Sequence, residues 1–184
     1  DRGVVVIGRV VAIGGPPGSG KSTAGRTVAG ALGLDYRSVG DAFRAEARAR
    51  GMDVEAFGRF AEAHPEVDRE LDSAMQRLAR PGVVLDGRIQ AALCRRRGTP
   101  VYSIVVTADE AERARRVALR DGQPLEESLR RIRERAESER GRYRRFYDLD
   151  PDAEPPDLRT RLDGAPSRRR RGADPRVPAR RGPG

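Results

Sequence analysis

Apolar positions along the chain follow two periods. Arg9–Gly14 (RVVAIG), Val83–Leu85 (VVL) and Val101–Thr107 (VYSIVVT) are short apolar runs rich in β-branched residues. Runs of this length read as strands buried in a sheet. Asp35–Val39 is a weaker candidate for a further strand. Between these runs the spacing becomes helical. Thr23–Leu32 predicts a helix, with Gly33 placed to end it. The stretch from Asp41 to about Arg80 is helical and polar, with breaks at Gly51, His64-Pro65 and Pro81-Gly82. Ala108–Arg120 is a helix, residues 121–124 (DGQP) a turn, and Leu125 to Tyr147 a long Arg/Glu-rich helix. Strands alternating with helices predict a parallel sheet with crossover helices. A fifth strand is in doubt: Asp157-Leu158 starts one, but Arg159 and Arg161 interrupt a buried run. No internal repeat is present.

Composition narrows the class. The chain has 184 residues, which suits one domain with a core of its own. One cysteine excludes an internal disulfide framework and a zinc ribbon. Aromatics are 4%, too few for a base-stacking platform. No apolar run is long enough to span a bilayer. The start lacks a signal-peptide cleavage site, and the expected setting is a reducing cytoplasm. The net charge of +9 first suggests nucleic acid. Residues 165–184, however, hold seven Arg and one Asp among many Pro and Gly, so +6 of that charge sits there. Such a tail is expected to be disordered, leaving +3 for the rest. All but one of the 37 basic residues are arginine; the exception is Lys21. Arginine in place of nearly all lysine fits a GC-rich gene. A frame slip near residue 158 would explain the altered end, and residues 1–8 read as a lead-in.

Lys21 lies in Gly15-Pro16-Pro17-Gly18-Ser19-Gly20-Lys21-Ser22, the G-x-x-x-x-G-K-[ST] phosphate loop. The loop follows an apolar strand and opens a helix. Backbone amides and the helix N-terminus there attract phosphate. Gly15 to Thr23 are the expected ATP contacts, with Lys21 reaching the β- and γ-phosphates. Ser22 is a candidate Mg²⁺ ligand. Asp86, at the tip of the Val83–Leu85 run, is its expected partner on the metal, although Asp-Gly is also an ordinary turn.

A further pattern stands at the end of the Asp35–Val39 strand candidate: Ser38-Val39-Gly40-Asp41-Ala42-Phe43-Arg44. With the GPPGSGKST loop it resembles the nucleoside monophosphate kinases, and among them the archaeal-type cytidylate kinases. Supporting stretches are Arg50–Asp53, Phe57-Gly58, Ala61-Glu62, Pro65–Asp68, Leu85–Arg88, Glu112–Gly122, Glu137–Arg140 and Arg142-Tyr143. The likeness covers roughly residues 9–150. It implies a three-layer α/β P-loop kinase fold over residues 9–164. It also implies a monophosphate-binding insertion at about 41–80 and a short lid at about 120–135. The implied reaction moves the γ-phosphoryl group of ATP·Mg to CMP or dCMP.

Such a transfer needs positioning and positive charge more than covalent help. Arginine's planar fork suits phosphate oxygens. Arg44 and Arg88 are placed to reach a cleft at the sheet's carboxyl edge. Arg113, Arg116 and Arg120 share one helix face; Arg135, Glu139 and Arg142 share another. The resemblance gives Arg120 and Arg135 to the transferring phosphate, Arg142 to phosphate, and Glu139 to the cytosine amine. Intrahelical Glu–Arg pairs are the alternative for that second face. Ser38 is expected at the base or ribose. Asp41 is either a substrate contact or a helix N-cap. His64 reads as an exposed loop residue, and Cys94 as packing or partly exposed, with no role. The chain is expected to be a monomer with no membrane partner. The rival readings are an adenylate or uridylate kinase, an inactive homologue, and an RNA-binding P-loop protein that uses the basic tail.

Overall fold

A computed structural model describes residues 8–163 except residue 154. The lead-in up to residue 7 and the basic tail lie outside the described residues. Five parallel strands form one sheet: β1 (Val10–Gly14), β2 (Asp35–Ser38), β3 (Val83–Asp86), β4 (Val101–Thr107) and β5 (Leu158–Arg161). Their order is β2-β3-β1-β4-β5. The helices are α1 (Lys21–Leu32), α2 (Val39–Ala49), α3 (Val54–Ala63), α4 (Pro65–Arg77), α5 (Gln90–Arg96), α6 (Glu110–Asp121) and α7 (Leu125–Tyr147).

Alternation along the central strands gives each face its own core. Val11, Ile13, Val84 and Val106 pack with Ala29 of α1 on one face. Val10, Val83 and Leu85 pack with Met75 of α4 and Cys94 of α5 on the other. Cys94 is therefore a packing residue and not a partly exposed one. Each large apolar side chain buried this way contributes about 1.5–3 kcal/mol.

Three findings differ from the sequence expectations. The fifth strand forms: Ile104, Val105, Val106 and Thr107 of β4 register with Leu158, Arg159, Thr160 and Arg161. Asp157 starts it by accepting from the Ser103 backbone N–H and hydroxyl, both at 2.8 Å. The first helix begins at Lys21, two residues before the apolar spacing announces it. Helix α5 was not expected at all. Its seven residues are too few to show a period and end in Arg95 and Arg96.

The polar stretch 41–80 breaks where its Gly and Pro residues stand. Asp53 caps α3 by accepting from the Ala56 N–H at 2.6 Å, and Pro65 opens α4. This unit has a small core of its own around Phe57, Ala61 and Val67. Helices α6 and α7 pair through Ala114, Val117 and Ile132. Among the described residues, no helix is long and apolar enough to cross a membrane.

Candidate active site

The carboxyl ends of β1, β2 and β3 meet where strand order changes direction, the usual ligand crevice of such sheets. A cavity of about 810 Å³ opens there, within the roughly 300–1,000 Å³ common for ligand sites. One wall is the phosphate loop: Pro17, Gly18, Gly20, Lys21, Ser22 and Thr23. Two glycines show why the loop has this composition. A Cβ on Gly15 would lie 2.1 Å from the Val106 carbonyl oxygen, so only glycine lets β1 turn away this close to β4. Gly20 precedes α1 at φ 91, a left-handed conformation that costs side chains energy. Gly15, Pro16 and Ser19 shape the loop from behind and do not line the cavity. Arg113 and Arg116 brace it from α6, donating to the Pro17 and Ser19 carbonyls at 3.0 Å.

Burial and the nearby Arg135 lower the Lys21 pKa, while Asp86 and Glu139 oppose the shift. Asp86 is 1% exposed. Its Oδ2 accepts from the Ser22 hydroxyl at 2.6 Å and from the Tyr36 hydroxyl at 2.5 Å. A carboxylate and a hydroxyl in contact, both lining the cavity, form the hard oxygen set that suits Mg²⁺. The donor set therefore fits the metal that the fold implies. Burial and Asp86 push the Tyr36 phenol up to about 12, so it stays protonated and donates.

The opposite wall belongs to α2, α3, α4 and α7. Ser38, Arg44, Arg88, Arg120, Arg135, Glu139 and Arg142 all line the cavity. Ser38 caps α2, accepting from the Asp41 N–H at 3.2 Å. Asp41 is thus inside the first turn and is not the cap. Nor does it line the cavity; it pairs with Arg44 at 2.6 Å and Arg26 at 2.7 Å. Arg120 projects from the end of α6 and pairs with Asp121 at 2.6 Å.

The Arg135/Glu139/Arg142 face is only partly explained by intrahelical pairing. Arg135 does bond Glu139 at 2.8 Å. The other Glu139 oxygen, Oε2, lies 3.4 Å from buried Arg88. Arg142 faces Asp68 of α4 at 2.8 Å, both side chains buried. Burial alone would raise the Glu139 pKa, but Arg135, Lys21 and Arg88 outweigh it and hold the carboxyl low. Asp68 goes the other way: burial raises it despite Arg142.

Sequence reasoning missed Tyr36, Asp68 and Asp72 as parts of this region. Asp72 of α4 accepts from Tyr147 of α7 at 2.8 Å and from Gln90 of α5 at 2.7 Å. Burial pushes its carboxyl up to about 6. No local pattern marks these residues; the only available signal for the two acids was their spacing of four on one helix. His64 ends α3 half-exposed and stacks on Phe60 with ring centroids 3.9 Å apart, as a loop residue should.

The sheet order, the phosphate loop and the acid at the β3 tip define a P-loop kinase, and comparison with known proteins agrees. Residues 14–144 match a family model described as an AAA domain. A protein from Thermus thermophilus has a similar structure, with TM-score 0.52, 26% identity and coverage of 86% of this chain and 91% of that one. Shikimate kinase from Bacteroides thetaiotaomicron shares the fold, with TM-score 0.53, 17% identity and coverage of 84% and 86%. The cytidylate kinase of Aeropyrum pernix is 43% identical over 139 residues, 75% of this chain and 80% of that protein. That of Methanopyrus kandleri is 40% identical over 150 residues, covering 77% and 78%. The chain belongs to the cytidylate kinase family.

Proposed function

We propose that the protein transfers the γ-phosphoryl group of ATP to CMP and dCMP, giving CDP and dCDP. One observation carries the reading beyond family membership. A phosphate loop and a set of arginines on separate elements face each other across one cavity, as a transfer between two nucleotides requires. Gly15 to Thr23 form the ATP phosphate site, and Lys21 neutralises charge on the transferring group. Mg²⁺, held by Ser22 directly and by Asp86 through water, would draw charge from the phosphate oxygens. Arg88 and Arg142 seat the acceptor's phosphate, with Arg44 beside them and Ser38 at the nucleoside. Glu139 accepts from the cytosine amine. Arg120 and Arg135 come from the lid at residues 120–135, which closes over the insertion at 41–80 and excludes water as a competing acceptor. The acceptor phosphate is already a nucleophile at neutral pH, so no histidine is needed. The protein acts as a monomer in this scheme.

ATP consumption measured with CMP, dCMP, UMP and AMP tests the reading. The expected outcome is turnover with CMP and dCMP well above that with UMP and AMP. Equal or greater turnover with AMP or UMP would replace it with the adenylate or uridylate alternative.

A further inference from the structure

Asp86 has two oxygens in different situations. Ser22 and Tyr36 both donate to Oδ2. Two donors occupy both lone pairs of that atom. Oδ1 has no hydrogen bond among the described residues, and Asp86 lines the cavity. The carboxylate is thus fixed by one oxygen and leaves the other for the site.

The position of Tyr36 is built in. Tyr36 registers with Val84, and Ser38 with Asp86, in the β2–β3 pairing. Side chains two residues apart share a face, so Tyr36 and Asp86 are diagonal neighbours, within reach of an aromatic ring. The ring is then clamped. A Cβ on Gly25 of α1 would lie 2.8 Å from the Tyr36 Cε2, so α1 approaches this ring only because residue 25 lacks a side chain. Arg26 covers the ring with its guanidinium carbon 4.6 Å from the centroid. Packing alone would be met by phenylalanine; the hydroxyl adds the bond to Asp86 and lies against the Ser22 and Ser38 hydroxyls.

We propose that Tyr36 is a positioning residue for the metal: its hydroxyl saturates Asp86 Oδ2 and commits Oδ1 to the water shell of the nucleotide-bound divalent cation. Groups that orient a metal's carboxylates from behind typically govern affinity by about 10–100-fold. Here the nucleotide holds much of the ion, so about tenfold is expected.

The inference rests on the kinase reading for the role of Asp86, but its test needs no turnover. Tyr36→Phe keeps the ring between Gly25 and Arg26 and removes only the hydroxyl. Binding of Mn²⁺·ADP, followed by loss of the free Mn²⁺ paramagnetic resonance signal, should weaken about tenfold. Binding of ADP alone in the presence of a chelator should be unchanged. In an Asp86→Asn background the same substitution should change Mn²⁺·ADP binding no further. Unchanged Mn²⁺·ADP affinity overturns the proposal. So does an equal loss with and without metal, which would mark a merely structural tyrosine. Loss of folding in Tyr36→Phe would also overturn it, since packing was argued to need only the ring. Absent CMP turnover alongside the expected metal effect would sink the cytidylate reading alone.

Discussion

The two walls of the cavity solve the same problem by different means. Both present positive charge to phosphate. The β1–α1 wall does so with backbone, a helix N-terminus and a single lysine, in nine consecutive residues. The α4–α7 wall uses side chains from distant elements, and its cations already have partners: Arg142 has Asp68, while Arg88 and Arg135 share Glu139. The first wall is set by local geometry; Asp86 and Glu139 favour the Lys21 charge from a distance, with neither in an ion pair with it among the described residues. The second keeps buried guanidinium groups soluble within the fold by pairing them, because an isolated buried charge is far too costly. In the proposed reading, a ligand phosphate on that wall would compete with carboxylates for the same arginines, coupling acceptor binding to the packing of α4 on α7. Among the described residues, no ion pair joins the phosphate loop itself to the insertion.

This contrast yields three expectations. The largest concerns the first wall. Lys21→Ala should lower turnover by about 1,000-fold, as loss of a preorganised charge at a transition state does. The melting temperature should barely move, since Lys21 has no buried carboxylate partner within ion-pair distance among the described residues. A large loss of stability would mean that the first wall, too, depends on charge pairing.

Next is the second wall. Arg142→Ala leaves the Asp68 carboxylate buried without its cation and should cost about 3 kcal/mol of stability. It should raise the KM for CMP and leave that for ATP unchanged. Replacing both partners, Arg142→Met with Asp68→Leu, should restore stability but not CMP affinity. Denaturant melts and initial rates separate these effects. Equal changes in both KM values would show the walls to be one cooperative unit.

The smallest is a pH effect. The folded state holds the Asp72 proton up to about pH 6, while the unfolded chain releases it near pH 4. The folded state therefore binds more protons within that window, and stability falls as pH rises through it. The loss is at most about 3 kcal/mol, from a shift of roughly two units. Asp72→Asn should make the slope shallower, leaving the part that Asp68, also raised by burial, contributes; melting curves from pH 4 to 7 compare the two. An identical slope in the variant would assign it to other groups.

The same contrast explains what the sequence could reveal. The phosphate loop is contiguous and its geometry demands glycine, so Gly15 to Ser22 were legible as a motif. Asp86 was legible because it ends an apolar run. Asp68 and Asp72 were not, because acids on a polar helix look alike until tertiary packing buries some of them. Tyr36 was hidden for another reason: its role depends on the strand register and on Gly25, neither of which is local. The Arg135–Glu139 pair could be read from spacing, but not the reach of Glu139 to Arg88. Strand β5 is hard to read from sequence because Arg159 and Arg161 break up a buried apolar run. At a sheet edge, charged residues are well tolerated.

Those charges have a use. Among the described residues β5 is the outer strand beyond β4, and an outer strand offers unpaired backbone groups to any passing chain. Arg159 and Arg161 stand exposed along it, with Arg161 anchored to Asp109 at 2.5 Å. Arg161 also pairs with Asp163, so a second copy approaching edge to edge would meet chiefly the Arg159 charge as its backbone tried to pair. The residues that made the strand hard to recognise thus guard the protein against zipping into aggregates.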